Sequence, residues 1–407
     1  RVQSVAVRLL VEREREIEKF KKEPYWTIEG EFSGPITAQL ISHNNEAYEK
    51  QIVLQLFDGK YTTTSSIITT EAQANAIIDD LKKPYSVSAV EKKEISRNPS
   101  AAYTTSTLQQ DAGRKLYFSS KKTMQLAQKL YEEGIITYHR TDSLNLSTKF
   151  ISEARAYIAH TFGKEYVPQS ARVYHTKSKV AQEAHEAIRP TEVTLLDEML
   201  KNNPEFNHDH VRLYKLIWKR AVSSQMEKAL FDSTTISITS SNAYVFQVQG
   251  SVITFDGFLK VMGYENGEVV LPTVVVGDTV TLTQANAIFH ETQAPPRYTE
   301  ASLVKALEEK DIGRPSTYAP IISTIIDRQY VAKIEKKLVP TELGMQVTDF
   351  LVLYFPRVMD LPFTAKLEAD LDAIATGEKE WVPVLKAFYD PFIEAVDTTM
   401  KTAEKVK

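Results

Sequence analysis

Two stretches of alternating apolar and polar residues, 25–90 and 231–282, are separated by helix-rich residues 91–230, and this split constrains the fold most. Strand signals in the first stretch include Trp26-Thr27-Ile28, Ala38-Gln39-Leu40-Ile41 and residues 52–57 before an Asp58-Gly59 turn. The second carries turn pairs at Asp256-Gly257, Asn266-Gly267 and Gly277-Asp278. A half-buried sheet needs partner strands, so the two stretches are expected to form one β domain with the helical section inserted into it. The first helix (residues 2–20) and the helical tail then pair as a terminal domain. The expected division is residues 1–24 plus 299–407, residues 25–97 plus 227–298, and residues 98–226.

Within the helical sections, Thr107 is placed to cap a helix to about Leu116, and Ser119 or Ser120 a second, stopped by Gly134. A short strand over 135–138 follows, and a helix from about His210 to Met226 closes the section. Thr299 opens the same plan again: helix, turn at Gly313, helix from Ser316 or Thr317 to Arg328, then a hairpin over 330–339. Beyond Glu342 the tail reads as helices separated by Pro356, Pro362 and Pro383. Helix, turn, helix, strand is the start of a winged helix, a frequent DNA-binding unit, although any two amphipathic helices joined by a tight turn look similar.

Composition narrows the possibilities. With 407 residues, 43% hydrophobic and 25% charged, the chain is globular and of several domains. Lys plus Arg is 49 against 53 Asp plus Glu, a net charge of −4, so a uniformly basic nucleic-acid binder is excluded and a local basic groove is not. No cysteine is present, which removes disulfides, Cys-ligated zinc and thiol nucleophiles and fits a reducing, cytoplasmic setting. No apolar run approaches a bilayer span, and the chain opens inside a periodic segment, as a piece cut from a longer protein would. Neither a phosphate-binding Gly-x-x-x-x-Gly-Lys-Ser/Thr nor a Gly-x-Gly-x-x-Gly occurs, so ATP and dinucleotide chemistry have no support.

Three stretches could carry chemistry. Thr137-Tyr138-His139-Arg140-Thr141-Asp142-Ser143 puts a phenol two residues from a guanidinium. A phenol, with pKa near 10, attacks a phosphodiester only if cations stabilise the charge growing on the phosphate oxygens, which the planar fork of Arg suits. The structural alternative is that Tyr138 ends a core strand while Asp142 pairs with a solvated Arg140. Gln182-Glu183-Ala184-His185-Glu186-Ala187-Ile188-Arg189-Pro190-Thr191, if helical, ends near Ile188; His185 could donate to a phosphate, and Arg189 is a further candidate. Gly313-Arg314-Pro315-Ser316-Thr317-Tyr318 sets Arg314 beside a helix N-terminus, whose free N–H groups favour an anion. Glu368, Asp370 and Asp372 read as a solvated surface rather than a metal site.

Together these stretches, with Arg1–Ala6 and Pro296-Arg297-Tyr298-Thr299-Glu300-Ala301-Ser302-Leu303-Val304, resemble in order the type IA DNA topoisomerase family. Ala187 in the His185 motif is more similar to the bacterial enzymes than to reverse gyrase. The resemblance implies a multidomain α+β chain: two winged-helix-like domains joined by a β-sheet arch, as in the family's toroid. It implies that Tyr138 is the nucleophile forming a 5′-phosphotyrosine, that Arg140 holds the scissile phosphate, and that His185 contacts a neighbouring one. Asp142 and Glu132 would support the site, while Arg1, Gln3, Arg189, Arg314, Ser316, Thr317 and Arg328 would bind the single strand. His139 stands where many relatives carry an apolar residue.

The family's N-terminal Toprim domain, which supplies magnesium-binding acids, and its C-terminal, often zinc-binding, domains have no counterpart in this sequence. The resemblance therefore implies Mg²⁺ for a longer enzyme, no metal site in these residues and no ATP. It also implies a monomer acting on single-stranded DNA in a groove and duplex DNA in a hole, near the bacterial nucleoid and away from membranes. A non-catalytic DNA-binding architectural module is the alternative; a tyrosine recombinase fits the motifs less well.

Overall fold

The computed structural model describes residues 2–175, 185–195, 203–264 and 267–403. The chain is α+β and divides into two compact units, one of residues 1–18, 100–225 and 296–407, the other of residues 19–99 and 226–295. Among the described residues no helix is long and apolar enough to cross a membrane.

The second unit is the β domain, and both halves of the split pattern meet in one antiparallel sheet. Its strand order is Leu282–Glu291, Pro24–Phe32, Ile36–His43, Tyr244–Phe255, Ala229–Ser240, Tyr85–Arg97, Thr279–Val280, with Glu46–Ala47 paired to Ile36–His43. Period-two alternation buries Ile36, Ala38 and Leu40 on one face, where they pack with Ile28, Phe32, Tyr85, Val87, Ile236, Ile238 and Phe246. A hairpin, Glu49–Leu56 with Gly59–Ser66, and the helix Glu71–Asp80 complete the unit. The chain leaves after Arg97 and returns at Ala229, and these two residues are register partners. Pro24 pairs with Glu291 in the same way. Each passage of the chain into and out of the unit thus runs through a pair of adjacent antiparallel strands, which is how a sheet accepts an insertion of this length without losing a ladder.

The first unit contains two hydrophobic cores. One gathers Val5, Leu9 and Leu10 of the helix Val2–Lys19, Leu303, Val304 and Leu307 of Glu300–Glu309, Ile321, Ile322 and Ile325 of Tyr318–Asp327, and the hairpin residues Val331 and Leu338. The other gathers Leu108 of Thr105–Asp111, Leu126, Ala127 and Leu130 of Ser120–Glu132, and Leu213, Tyr214 and Ile217 of His208–Ser223. The spacing of Thr123, Leu126, Ala127 and Leu130 is the apolar stripe of an amphipathic helix. Contacts between the cores include small and polar groups. Ser106 donates to Glu308 at 2.5 Å and the Ser120 N–H to Glu300 at 2.7 Å. A Cβ on Gly113 would stand 3.4 Å from that of Ala301.

Several local expectations change. Thr104, not Thr107, caps the first inserted helix; Thr107 sits at the third helical position and completes a capping box. The helix is α only to Asp111 and continues as a π-helical turn, Ala112–Leu116. Residues 135–138 do not form a strand: Ile136 makes a single bridge to Pro190. Pro362 and Pro383 do not separate the tail helices but lie in the first turns of Leu361–Ala375 and Trp381–Thr402, where no intrahelical N–H is lost.

Candidate active site

Tyr138 is held by its neighbours in sequence rather than by its own side chain. On one side, Thr137 is tied to the extended segment after His185. The Thr137 N–H donates to Arg189 O at 2.9 Å, its hydroxyl donates to Ala187 O at 2.7 Å, and the Arg189 N–H donates to that hydroxyl at 3.0 Å. On the other side, Thr105 closes the loop. Its hydroxyl donates to His139 O at 2.8 Å and accepts from the Thr141 N–H at 2.9 Å, while its own N–H donates to Thr141 O at 2.8 Å. Tyr138 is the residue left projecting between the two clamps, 38% exposed.

Its ring meets Tyr131 edge-on at 5.2 Å, His139 at 5.3 Å and His185 at 5.8 Å between centroids. His139 faces inward, 3% exposed, and neither ring nitrogen has a hydrogen-bond partner among the described residues. Burial, with the Arg140 charge adding to it, pulls its pKa down to about 4. Tyr138, Arg140, Asp142, His185, Arg314, Ser316 and Asp372 line one cavity of about 350 Å³. Arg140 is exposed and has no ion pair with Asp142 among the described residues, so the purely structural alternative for this motif loses its pair. Chemically, this is a projecting phenol, the His185 imidazole and two guanidinium groups around a space large enough for a phosphodiester.

The match to a DNA topoisomerase family model runs over residues 1–386. The chain belongs to the DNA topoisomerase family. It is 42% identical to the DNA topoisomerase 1 of Xylella fastidiosa over 428 aligned positions, covering 100% of this chain and 51% of that protein. With the DNA topoisomerase 1 of Rickettsia felis it shares 43% identity, covering 98% of this chain and 52% of the relative. The structure of full-length topoisomerase I from Thermotoga maritima superimposes with a TM-score of 0.82 at 34% identity, covering 100% of this chain and 63% of that one. The chain thus spans about half the length of the curated relatives it matches.

Among the remaining predicted residues of this family member, Arg314 enters the cavity from a turn that needs Gly313. That glycine has φ +83°, and a Cβ there would stand 3.0 Å from the Tyr318 ring. Thr317 does not line the cavity; its hydroxyl accepts from the Arg314 N–H at 2.8 Å and shapes the turn. Arg328 stands at the opposite end of the helix Tyr318–Asp327. Arg189 is committed to Glu186, at 2.6 and 2.9 Å, and lies over the Phe150 ring. Burial works to raise the Glu186 pKa, but the Arg189 pair and the Ser147 N–H prevail and hold it below the ordinary carboxylate range. Glu132 is exposed and accepts from Gln128 at 2.8 Å. Gln3 lies on the helix Val2–Lys19; Arg1 and residues 182–184 lie outside the described residues. Residues 185–187 are not helical, because Ala187 and Ile188 bond to Asn145 and Tyr103 instead.

The reading of the acidic tail residues as solvated surface is overturned. Glu368 is 7% exposed, Asp372 pairs with Arg314, and Asp370 pairs with Lys379 at 2.6 Å. Sequence reasoning did not single out Thr105 and Thr137, whose bonds hold the loop that carries Tyr138. Thr137 opens the Tyr138 stretch and Thr105 stands at a helix start, both common placements for a hydroxyl residue.

Proposed function

We propose that this chain is the tyrosine-bearing part of a type IA DNA topoisomerase, which relaxes negatively supercoiled bacterial chromosomal DNA without ATP. The observation that carries the reading is the projection of Tyr138 into a cavity shared with Arg140, His185 and Arg314. The Tyr138 oxygen attacks a backbone phosphorus, the phenolic proton is lost, and the 3′ oxygen leaves, giving a 5′-phosphotyrosine ester. That ester retains the energy of the broken bond, so attack by the same 3′ hydroxyl reseals the strand. Arg140 stabilises the charge on the phosphate oxygens, and His185 donates to a neighbouring phosphate. Asp142 and Glu132 support the site, and Gln3, Ser316, Thr317, Arg328, Arg189 and Arg1 belong to the wider single-strand groove.

The two cores of the first unit are two winged-helix-like domains, residues 98–226 and residues 1–24 with 299–407, which separate along their polar seam for strand passage. The β unit, residues 25–97 with 227–298, is the arch that carries the motion. The enzyme acts as a monomer on a single strand in the groove and a duplex in the hole. Magnesium, which the family resemblance implies, does not fit these residues. Among those described, no group of three carboxylate or histidine side chains could hold an ion, and Asp372 is engaged by Arg314.

The test mixes the chain with labelled single-stranded oligonucleotide and Mg²⁺, with and without a separately produced Toprim domain, and stops the reaction with detergent. A protein–DNA adduct is expected with both parts and none with Tyr138→Phe. No adduct from the combined parts, or an adduct surviving Tyr138→Phe, overturns the reading.

A further inference from the structure

The guanidinium of Arg314 faces the proposed DNA cavity already occupied. Its Nε and Nη2 both donate to Asp372 Oδ2, at 3.0 and 2.5 Å. Its Nη1 donates to Gly313 O at 2.7 Å and Asp311 O at 3.1 Å, with Glu368 Oε2 at 3.9 Å. The Nε–Nη2 edge is the one with which arginine forks a phosphate. Asp372 comes from a separate helix, Leu361–Ala375, and itself lines the cavity beside Ser316 and Thr376. One turn earlier on that helix the buried Glu368 faces the same guanidinium, so two carboxylates compete with any incoming anion.

We propose that Asp372 is an internal stand-in for a phosphate. It holds Arg314 in place when no polynucleotide is bound, is displaced when a phosphodiester takes the Nε–Nη2 edge, and so sets the affinity for single-stranded DNA. This rests on the reading of the cavity as a DNA site. The physical basis is exchange. A phosphate that claims Arg314 leaves the Asp372 carboxylate without its partner and a few ångströms from a second negative charge, and that cost is subtracted from binding. Neutralising Asp372 while keeping its shape removes the cost and leaves the arginine ready. The rival role, in which Asp372 merely orients Arg314 for its phosphate, predicts the opposite sign.

The experiment is fluorescence anisotropy of a labelled single-stranded oligonucleotide against the full chain over a range of NaCl concentrations. It compares wild type with Asp372→Asn, Asp372→Ala, Arg314→Ala, Asp372→Asn/Arg314→Ala and Asp370→Asn, each checked by thermal melting. Asp372→Asn and Asp372→Ala are expected to bind about tenfold more tightly than wild type at low salt. The gain disappears in the Arg314→Ala background, and Asp370→Asn, with the same change in net charge, binds like wild type. Unchanged or weaker binding by both Asp372 variants overturns the inference, as does a gain that persists without Arg314 or is matched by Asp370→Asn. Absence of binding by wild type and every variant overturns the DNA reading itself, and the inference with it.

Discussion

The Ser106 hydroxyl donates to the Glu308 carboxylate at 2.5 Å across the seam between the two cores of the first unit. Gln110 adds a longer bond, 3.4 Å, to the same oxygen. Burial pushes the Glu308 pKa up, the bond from Ser106 opposes it, and the charges of Glu309 and Asp142 push it up further. For the proposed separation of the two cores, a carboxyl whose pKa is raised while they are in contact stabilises the contact fully below the ordinary carboxylate range and loses the contribution as pH rises through its raised pKa. Because the chain has no cysteine, single cysteines at exposed Lys121 and Lys305 can carry a donor–acceptor dye pair. The separation is expected to grow as pH rises from mildly acidic values, and Glu308→Gln should flatten that response.

Thr105 is fully buried, and its hydroxyl bonds His139 O and the Thr141 N–H, the backbone groups on either side of Arg140. Thr105→Val keeps the shape and removes the hydroxyl, so its cost in stability should be about 1–3 kcal/mol by urea unfolding. In the adduct assay with the Toprim domain, cleavage should fall by at least tenfold while Tyr138 is intact. Thr105→Ser, which restores the hydroxyl, should recover most of it.

His139 has a pKa depressed to about 4 by burial and by Arg140. Its neutral form contributes stability above the unfolded value near 6.5, and that contribution is lost as pH falls towards 4. His139→Leu replaces an unpartnered buried imidazole by an apolar side chain. It should raise stability at neutral pH by about 1 kcal/mol and remove part of the acid sensitivity between pH 6.5 and 4, measured by thermal melting across pH.

The side chain of Arg189 is only 11% exposed and closes a bidentate pair with Glu186. Arg189→Ala leaves that carboxylate half-buried without its partner, so the expected loss is about 3 kcal/mol of stability. Lysine cannot reproduce the fork, so Arg189→Lys should recover less than half of it in the same unfolding measurement.

Tyr138 and Arg140 stand in one short stretch and His185 in another 47 residues on, and it was the resemblance of the stretches in order to one family, not either stretch alone, that singled these residues out. The strand expected over residues 135–138 is not there, since Thr137 takes its bonds from Ala187 and Arg189, some fifty residues away. The same holds for the tail. Helical spacing fans Glu368, Asp370 and Asp372 over several faces, and nothing local reveals that Arg314 lies against two of them.

What the sequence determined by itself is periodicity and order: strands in two blocks, helices capped by Thr and Ser, and an insertion between two halves of one sheet. These are local patterns, set by side-chain spacing and turn chemistry within a few residues. Only the tertiary structure decided that Arg97 and Ala229 are register partners, that Thr105 closes the Tyr138 loop, and that Asp372 holds the Arg314 guanidinium. Each of these joins residues far apart in the chain, and their meeting depends on how whole elements pack, which no short window of sequence encodes.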